Sequence, residues 1–394
     1  MANSASFKHM RQRNIDAVVN CVRDNPGISR AEVAKETCLA KATISEIVED
    51  LLKKNILQEL GAKASNGGRP AVGLAFNPSY GYVLGISLEE TSVGICLLDL
   101  DGNVCSEVRS RIELDWTAEQ VSHIVMDSLQ AKFAERACSL SDILALGLAI
   151  PGHVELSKEG RASTISDKYN QFIHILRKYF DCPMSVDSNM NASAMSEIEK
   201  SQTQQSDLVL IIRLGHIVRL ALVVDGKILT GGGASTGELG HINLPYNEAL
   251  CSCGMVGCIN TVAGTGAMLE RGQRAGIDIS NFDELITHCI LGDNDAQQIV
   301  KAAGEAVGYG LSIAINLIAP NVVIVSGPAI AAKELILGPL CGSAKKTSLA
   351  NNFKRCRIIA GRAGDKAESY GAALLAIKKL VDMPIRIKAQ QKQE

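Results

Sequence analysis

Apolar residues at Ile15, Val18, Val19 and Val22 share one face of a helix predicted over Arg11–Arg23. "NPGIS" breaks the pattern, and Ser29 with Glu32 three residues later forms a capping-box signature for a short helix, Arg30–Glu36. The turn "TCLA" leads into another helix, Lys41–Lys54, with Ile44, Ile47, Val48, Leu51 and Leu52 along one side. Two short helices around a tight turn, with Ala34 small enough for close packing, match helix-turn-helix geometry. "ILQELG" and "AVGLAF" then read as strands joined by "AKASNGGRP", the form of a winged helix with Arg69 at the wing tip.

Past Asn77-Pro78 the texture changes. "YVLGISL", "VGICLLDLDG", "LALGLAIPG", "LVLIIRL", "VRLALVVDGKIL" and "NVVIVSGP" are strand-like, and amphipathic helices lie between them. Strands and helices that alternate twice predict a two-lobed α/β body with a cleft suited to a small molecule.

The polar face of the second short helix begins Lys41, Ala42, Thr43, Ser45, Glu46, short enough to reach base edges and phosphates in a major groove. Arg69, flanked by glycines and a proline, suits a narrow A·T-rich minor groove. A protein-interaction module is the alternative; the agreement of turn, polar face and wing tip favours double-stranded DNA. Charge supports this weakly. Residues 1–78 carry eleven Lys/Arg against eight Asp/Glu, whereas the whole chain has a net charge of −2.

No apolar run is long enough to span a bilayer, and Met1–Met10 holds no signal-peptide core, so a cytoplasmic protein without a membrane role is expected. Nine of the twelve cysteines are scattered singly and read as reduced apolar side chains. The other three cluster in "GELGHINLPYNEALCSCGMVGCIN", Gly237–Asn260. His241, Cys251, Cys253 and Cys258 offer one imidazole and three thiolates, the composition of a structural zinc site. Four protein ligands leave no open position to activate water.

The chain resembles the ROK family (repressors, open reading frames, kinases). The likeness rests on "GRPAVGLAFNP", "GLAIPGHV", "DGKILTGGGASTGELGH" and the Cys loop, and covers nearly the whole chain. It implies an N-terminal winged helix-turn-helix domain plus a two-lobed sugar-kinase/actin-like (ribonuclease H-like) ROK domain, with zinc at the four positions above. It also implies that Glu238 and His241 face a sugar. The family usually closes the loop with Gly-Cys-x-Glu, where this chain has Asn260, and Ser163-Thr164 stand where the family often has Asn.

Kinases of the family carry a phosphate turn like Asp-x-Gly-Gly-Thr. Here it is "SLEET", Ser87–Thr91, with Glu89 and Glu90 replacing the glycines. The second glycine-rich turn has become "GHIVRLA", Gly215–Ala221, and the third is "SGPA". Asn189 occupies the place of the catalytic Asp; an amide binds a hydroxyl but cannot act as a general base, and Asp187 is out of register. No ATP binding and no enzymatic activity are therefore expected.

The expected organisation is 1–78 for the winged helix, 79–190 for lobe 1 completed by a helix at about 365–382, 191–364 for lobe 2 with the zinc loop, and a polar tail at 383–394. The expected function is a transcriptional regulator, a repressor of carbohydrate genes. It binds operator DNA as a homodimer or homotetramer and responds to a sugar or sugar phosphate held by Asn189, Glu238, His241 and Asn260. The rival readings are an active sugar kinase with a DNA-binding head, and a regulator governed by a protein partner.

Overall fold

Ser29 starts the second helix because its side chain accepts from Glu32 N at 3.3 Å while its own N–H donates to Glu32 Oε2 at 2.8 Å, the reciprocal capping box. The computed structural model describes residues 2–62, 72–136, 138–152, 154, 166–201, 203, 207–230 and 236–381. Arg69, His153, Ser163-Thr164 and the tail lie outside these residues. The head comprises α1 (Ala2–Asp24), β1 (Ile28–Ser29), α2 (Arg30–Thr37), α3 (Lys41–Lys53), β2 (Leu57–Ala62) and β3 (Val72–Phe76). Cys38, in a left-handed conformation (φ 55°), turns the chain between α2 and α3. Val18, Val22, Val33, Ile44, Val48, Leu51 and Leu74 form one buried core.

Two features of the head differ from the sequence reading. Helix α1 begins well before Arg11, where "ANSASFKHM" carries no apolar stripe to mark a start. Strand β1 pairs Ile28 with Leu74 and Ser29 with Gly73, giving a three-stranded sheet in the order β1-β3-β2. Two residues are too few for alternation to reveal a strand. The head is joined closely to the body. Asn77 N donates to Ile56 O at 2.8 Å, Asn77 caps the turn Pro78–Tyr80, and Leu100 N donates to Pro78 O at 3.2 Å.

The first sheet of the body contains β4 (Tyr82–Leu88), β5 (Ser92–Leu98) and β6 (Val104–Arg111), then, after α4 (Ala118–Arg136), β7 (Ile143–Ile150). Helix α5 (Asp167–Tyr179) and β8 (Met184–Ser188) complete it, in the order β6-β5-β4-β7-β8. β4, β5 and β6 are antiparallel neighbours, while β7 runs parallel to β4 and β8. Leu84, Ile86, Leu146 and Leu148 face Val121, Val125, Phe172 and Leu176 of α4 and α5.

Helix α6 (Asn189–Ser201) leads to the second sheet, which starts with β9 (Val209–Leu214), β10 (Val218–Val224) and β11 (Lys227–Ile228). Four helices follow: α7 (Asn260–Ala263), α8 (Thr265–Arg274), α9 (Phe282–Leu291) and α10 (Asn294–Ile318). Then come β12 (Val322–Ser326), α11 (Glu334–Thr347), α12 (Ala350–Arg355), β13 (Arg357–Ala360) and α13 (Ala367–Val381). The sheet order is β11-β10-β9-β12-β13, and α8 to α11 bury its outer face around Ile212, Leu311, Val323 and Leu340.

Helices α6 and α13 sit between the sheets. Met190 and Ala194 of α6 pack on Val209, Ile211 and Ile324 of the second sheet. Tyr370, Ala373 and Leu374 of α13 pack on Val83, Cys96 and Ala145 of the first. Where the two helices cross, a Cβ on Gly371 would overlap the Ala192 carbonyl, so only glycine allows this approach. Gly371→Val should cost about 1–3 kcal/mol or more through overpacking, read as a lowered denaturation midpoint. Gly342 in α11 has open space at its Cβ position, and Gly342→Ala should raise stability by about 0.5–1 kcal/mol.

Candidate functional site

His241 ends a single 3-10 turn, Leu239–His241, and the following chain folds back over it as a knuckle. Cys251 N donates to Met255 O at 2.8 Å and Gly254 N to Cys251 O at 2.9 Å, a turn that needs the positive φ of Gly254 (89°). Short bridges pair Asn243 with Cys258 and Leu250 with Val256. The ligand atoms of His241, Cys251, Cys253 and Cys258 thereby lie within 4.8 Å of one another. Cys251 Sγ is 3.8 Å from His241 Nδ1, and Cys253 Sγ is 3.7 Å from Cys258 Sγ. A tetrahedral zinc ion with ordinary bond lengths has ligand-to-ligand edges of about 3.5–3.8 Å, so this donor set fits such an ion. Burial first, then the neighbouring Cys253 and Cys251, pushes the Cys258 thiol up to about 12. A cation offsets the mutual repulsion that such close thiolates otherwise suffer.

The other ring nitrogen of His241 faces away from the cysteines. Nε2 lies 3.4 Å from Asn260 Nδ2 and 3.5 Å from Glu238 Oε2. Asn260 also accepts from Val218 N at 2.8 Å through Oδ1, so half of its amide holds the start of β10. Arg219, on β10, brings its guanidinium to 3.6 Å from Glu238 Oε1. Glu238, His241 and Asn260 are thus brought together. Asn189 is placed apart: its Nδ2 donates to Leu88 O at 2.7 Å, and no hydrogen bond joins it to the other three.

A cavity of about 310 Å³ opens between β8, α6 and β10, with Asp187, Asn191, Arg219, Thr230, Thr236 and Lys379 in its wall. None of the four residues expected to bind sugar lines it; Ser188 and Met190, on either side of Asn189, do. Sequence reasoning missed Arg219 as a wall residue and read it only as part of the altered turn "GHIVRLA". A lone arginine inside the apolar strand "VRLALVV" was the available signal. In the head, Lys41, Ala42 and Ser45 are exposed at the start of α3, and Thr43 is half-buried.

The ROK family profile matches residues 83–379. The chain belongs to the ROK family. It is similar to the xylose repressor of Caldicellulosiruptor bescii, 25% identical over 392 residues that cover 95% of this chain and 98% of that one. Among solved structures it is similar to a ROK family transcriptional regulator described as a homologue of the E. coli MLC protein. That match has a TM-score of 0.72 at 25% identity and covers 95% of this chain and 97% of the other. A ROK family glucokinase from Streptomyces griseus, solved with glucose and AMPPNP, matches with a TM-score of 0.62 at 22% identity. That likeness covers 100% of the glucokinase but 76% of this chain, and it shows shared fold alone.

In this ROK chain the turn after β4 is bound up in ion pairs, one within its own sheet and one to the second sheet. Arg109 lies 3.2 Å from Glu89 Oε2, and Arg213 of the second sheet lies 3.5 Å from Glu89 Oε1. Arg213 also pairs closely with Glu368 of α13, where their side chains are only 12% and 5% exposed. Next to this group His216 Nδ1 meets Glu90 Oε2 at 3.3 Å on the surface. Burial disfavours the charge on Arg213, but Glu368 and then Glu89 more than restore it, holding its pKa above the ordinary value. Arg213→Met should cost about 3–5 kcal/mol, because it leaves the Glu368 carboxylate buried and unpaired. Combining it with Glu368→Leu should recover most of that loss in a denaturant double-mutant cycle.

Proposed function

We propose that this protein is a DNA-binding transcriptional repressor of sugar uptake or catabolic genes, whose ROK body serves as a sugar receptor rather than a kinase. The observation that carries this reading is the winged helix, with an exposed recognition face, on a body that a repressor matches along 95% of this chain. Lys41, Ala42, Thr43 and Ser45 approach base edges and phosphates in the major groove, and Arg69 reaches the minor groove. Two copies on a palindromic operator supply the affinity that one module lacks.

The cleft does not perform phosphoryl transfer. Glu89 and Glu90 put carboxylates where a polyphosphate needs backbone N–H groups, and Glu89 is already paired with Arg109 and Arg213. Asn189 cannot take a proton from a sugar hydroxyl, and its Nδ2 is engaged by Leu88 O.

Zinc in the four-residue shell is structural. With Nδ1 in that shell, Nε2 of His241 is oriented toward Glu238, which stands beside Arg219 in the cavity wall. A ligand that prefers one separation of the two sheets shifts the population of lobe arrangements, and with it the spacing of paired heads.

Selection of operator fragments from genomic DNA by the purified protein, with and without candidate sugars, tests the reading; failure to enrich any site would refute it. Lys41→Ala should weaken binding to all selected sites alike and lower the salt slope by about one. Cys253→Ser should strip the metal, measured by elemental analysis, and impair both operator binding and its response to sugar. Unchanged operator control in that variant would remove zinc from the mechanism.

A further inference from the structure

We propose that the cavity between the lobes takes an anionic sugar, a phosphate ester or a uronic acid, with Arg219 as the partner of its charge. This rests on the receptor reading above and narrows it to a ligand class. Arg219 presents five N–H donors from a side chain that is only 18% exposed. A guanidinium so enclosed ordinarily finds a carboxylate or phosphate in bidentate geometry. Here its nearest anion is Glu238 Oε1 at 3.6 Å, beyond hydrogen-bond reach, and no hydrogen bond joins its guanidinium to a described residue. Glu238 is itself shared with His241 through its other oxygen at 3.5 Å.

The remaining wall suits the same ligand. Asp187, the carboxylate in the lining, is satisfied: its Oδ1 accepts from Ser188 N and Asn191 Nδ2, both at 2.8 Å. Lys379 adds a second positive charge from α13, so the lining holds two cations and one carboxylate, with Glu238 behind Arg219 as the other nearby anion. Thr230, Thr236 and Asn191 supply hydroxyl and amide groups for a polyol. At about 310 Å³ the cavity is at the lower end of small-ligand sites and holds one sugar ring with its substituent. Arg219 belongs to the second sheet, whereas α13 packs on the first. An anion held between Arg219 and Lys379 therefore draws the lobes together.

The test is calorimetric titration of the full chain with D-glucose, D-xylose, their phosphate monoesters, D-glucuronate and inorganic phosphate, repeated on Arg219→Met and Arg219→Lys. The expected result is binding of a phosphate ester or glucuronate that is tighter than its neutral parent by about tenfold or more. Arg219→Met should abolish that preference, and Arg219→Lys should keep part of it, which separates lost charge from a damaged fold. Which anion binds distinguishes a phosphate ester from a uronic acid, and inorganic phosphate measures the anion without the ring. A neutral sugar binding as well as its anionic counterpart would overturn the ligand class and leave the receptor reading intact. Equal affinity for the anion in Arg219→Met would overturn the role of Arg219. Binding of no sugar at all would overturn both this inference and the sugar-receptor reading.

Discussion

The contact between α6 and α13 governs the rest of the body. Each sheet is covered on its inner face by one of these helices, so the lobes meet only as closely as the helices do. At Gly371 and Ala192 nothing but backbone separates them, and Ala149 and Ala372 continue the same stripe of small residues. Because packed interiors do not deform continuously, such a joint permits rotation about the crossing more readily than separation of it. The ion pair of Arg213 with Glu368 lies one turn of α13 from this joint, and the cavity beside β10 lies between the two sheets. Both therefore act on the same degree of freedom.

Much of the architecture was legible because the chain repeats simple periodicities. Val18 and Val22, or Ile44, Val48 and Leu51, announce helices by spacing alone, and the Ser29–Glu32 capping box is explicit in the residue types. The candidate metal cluster was equally plain: a His and three Cys within eighteen positions can converge through the turns at Gly254 and Gly257. Other features depend on partners remote in sequence. Arg213 meets Glu368 across 155 positions, and Asn189 meets Leu88 across 101, so no local pattern could disclose either pair. The cavity was harder still. Its wall draws on β8, α6, β10 and α13, and apart from the lone arginine of β10 no segment marks it.

His241 illustrates how one side chain can serve two environments. The cysteines constrain the ring through Nδ1, and that constraint fixes where Nε2 can point. Asn260 and Glu238 then bracket Nε2, while Asn260 is anchored by the backbone of Val218 and Glu238 stands beside Arg219. The knuckle and β10 are consequently parts of one polar assembly rather than a His/Cys cluster and a cleft that happen to be adjacent.

The short joint between head and body has its own implication. Asn77 is tied back to Ile56, and Pro78 is held by Leu100 of the segment after β5, so the connection contains no slack chain. Flexible linkers let a binding module search its surroundings, but a joint of this kind transmits angle instead. The winged helix is then comparable to a pointer fixed to the first sheet. Its reach is set by the body's geometry, and a few degrees at the hinge become a larger displacement at the far end of α3.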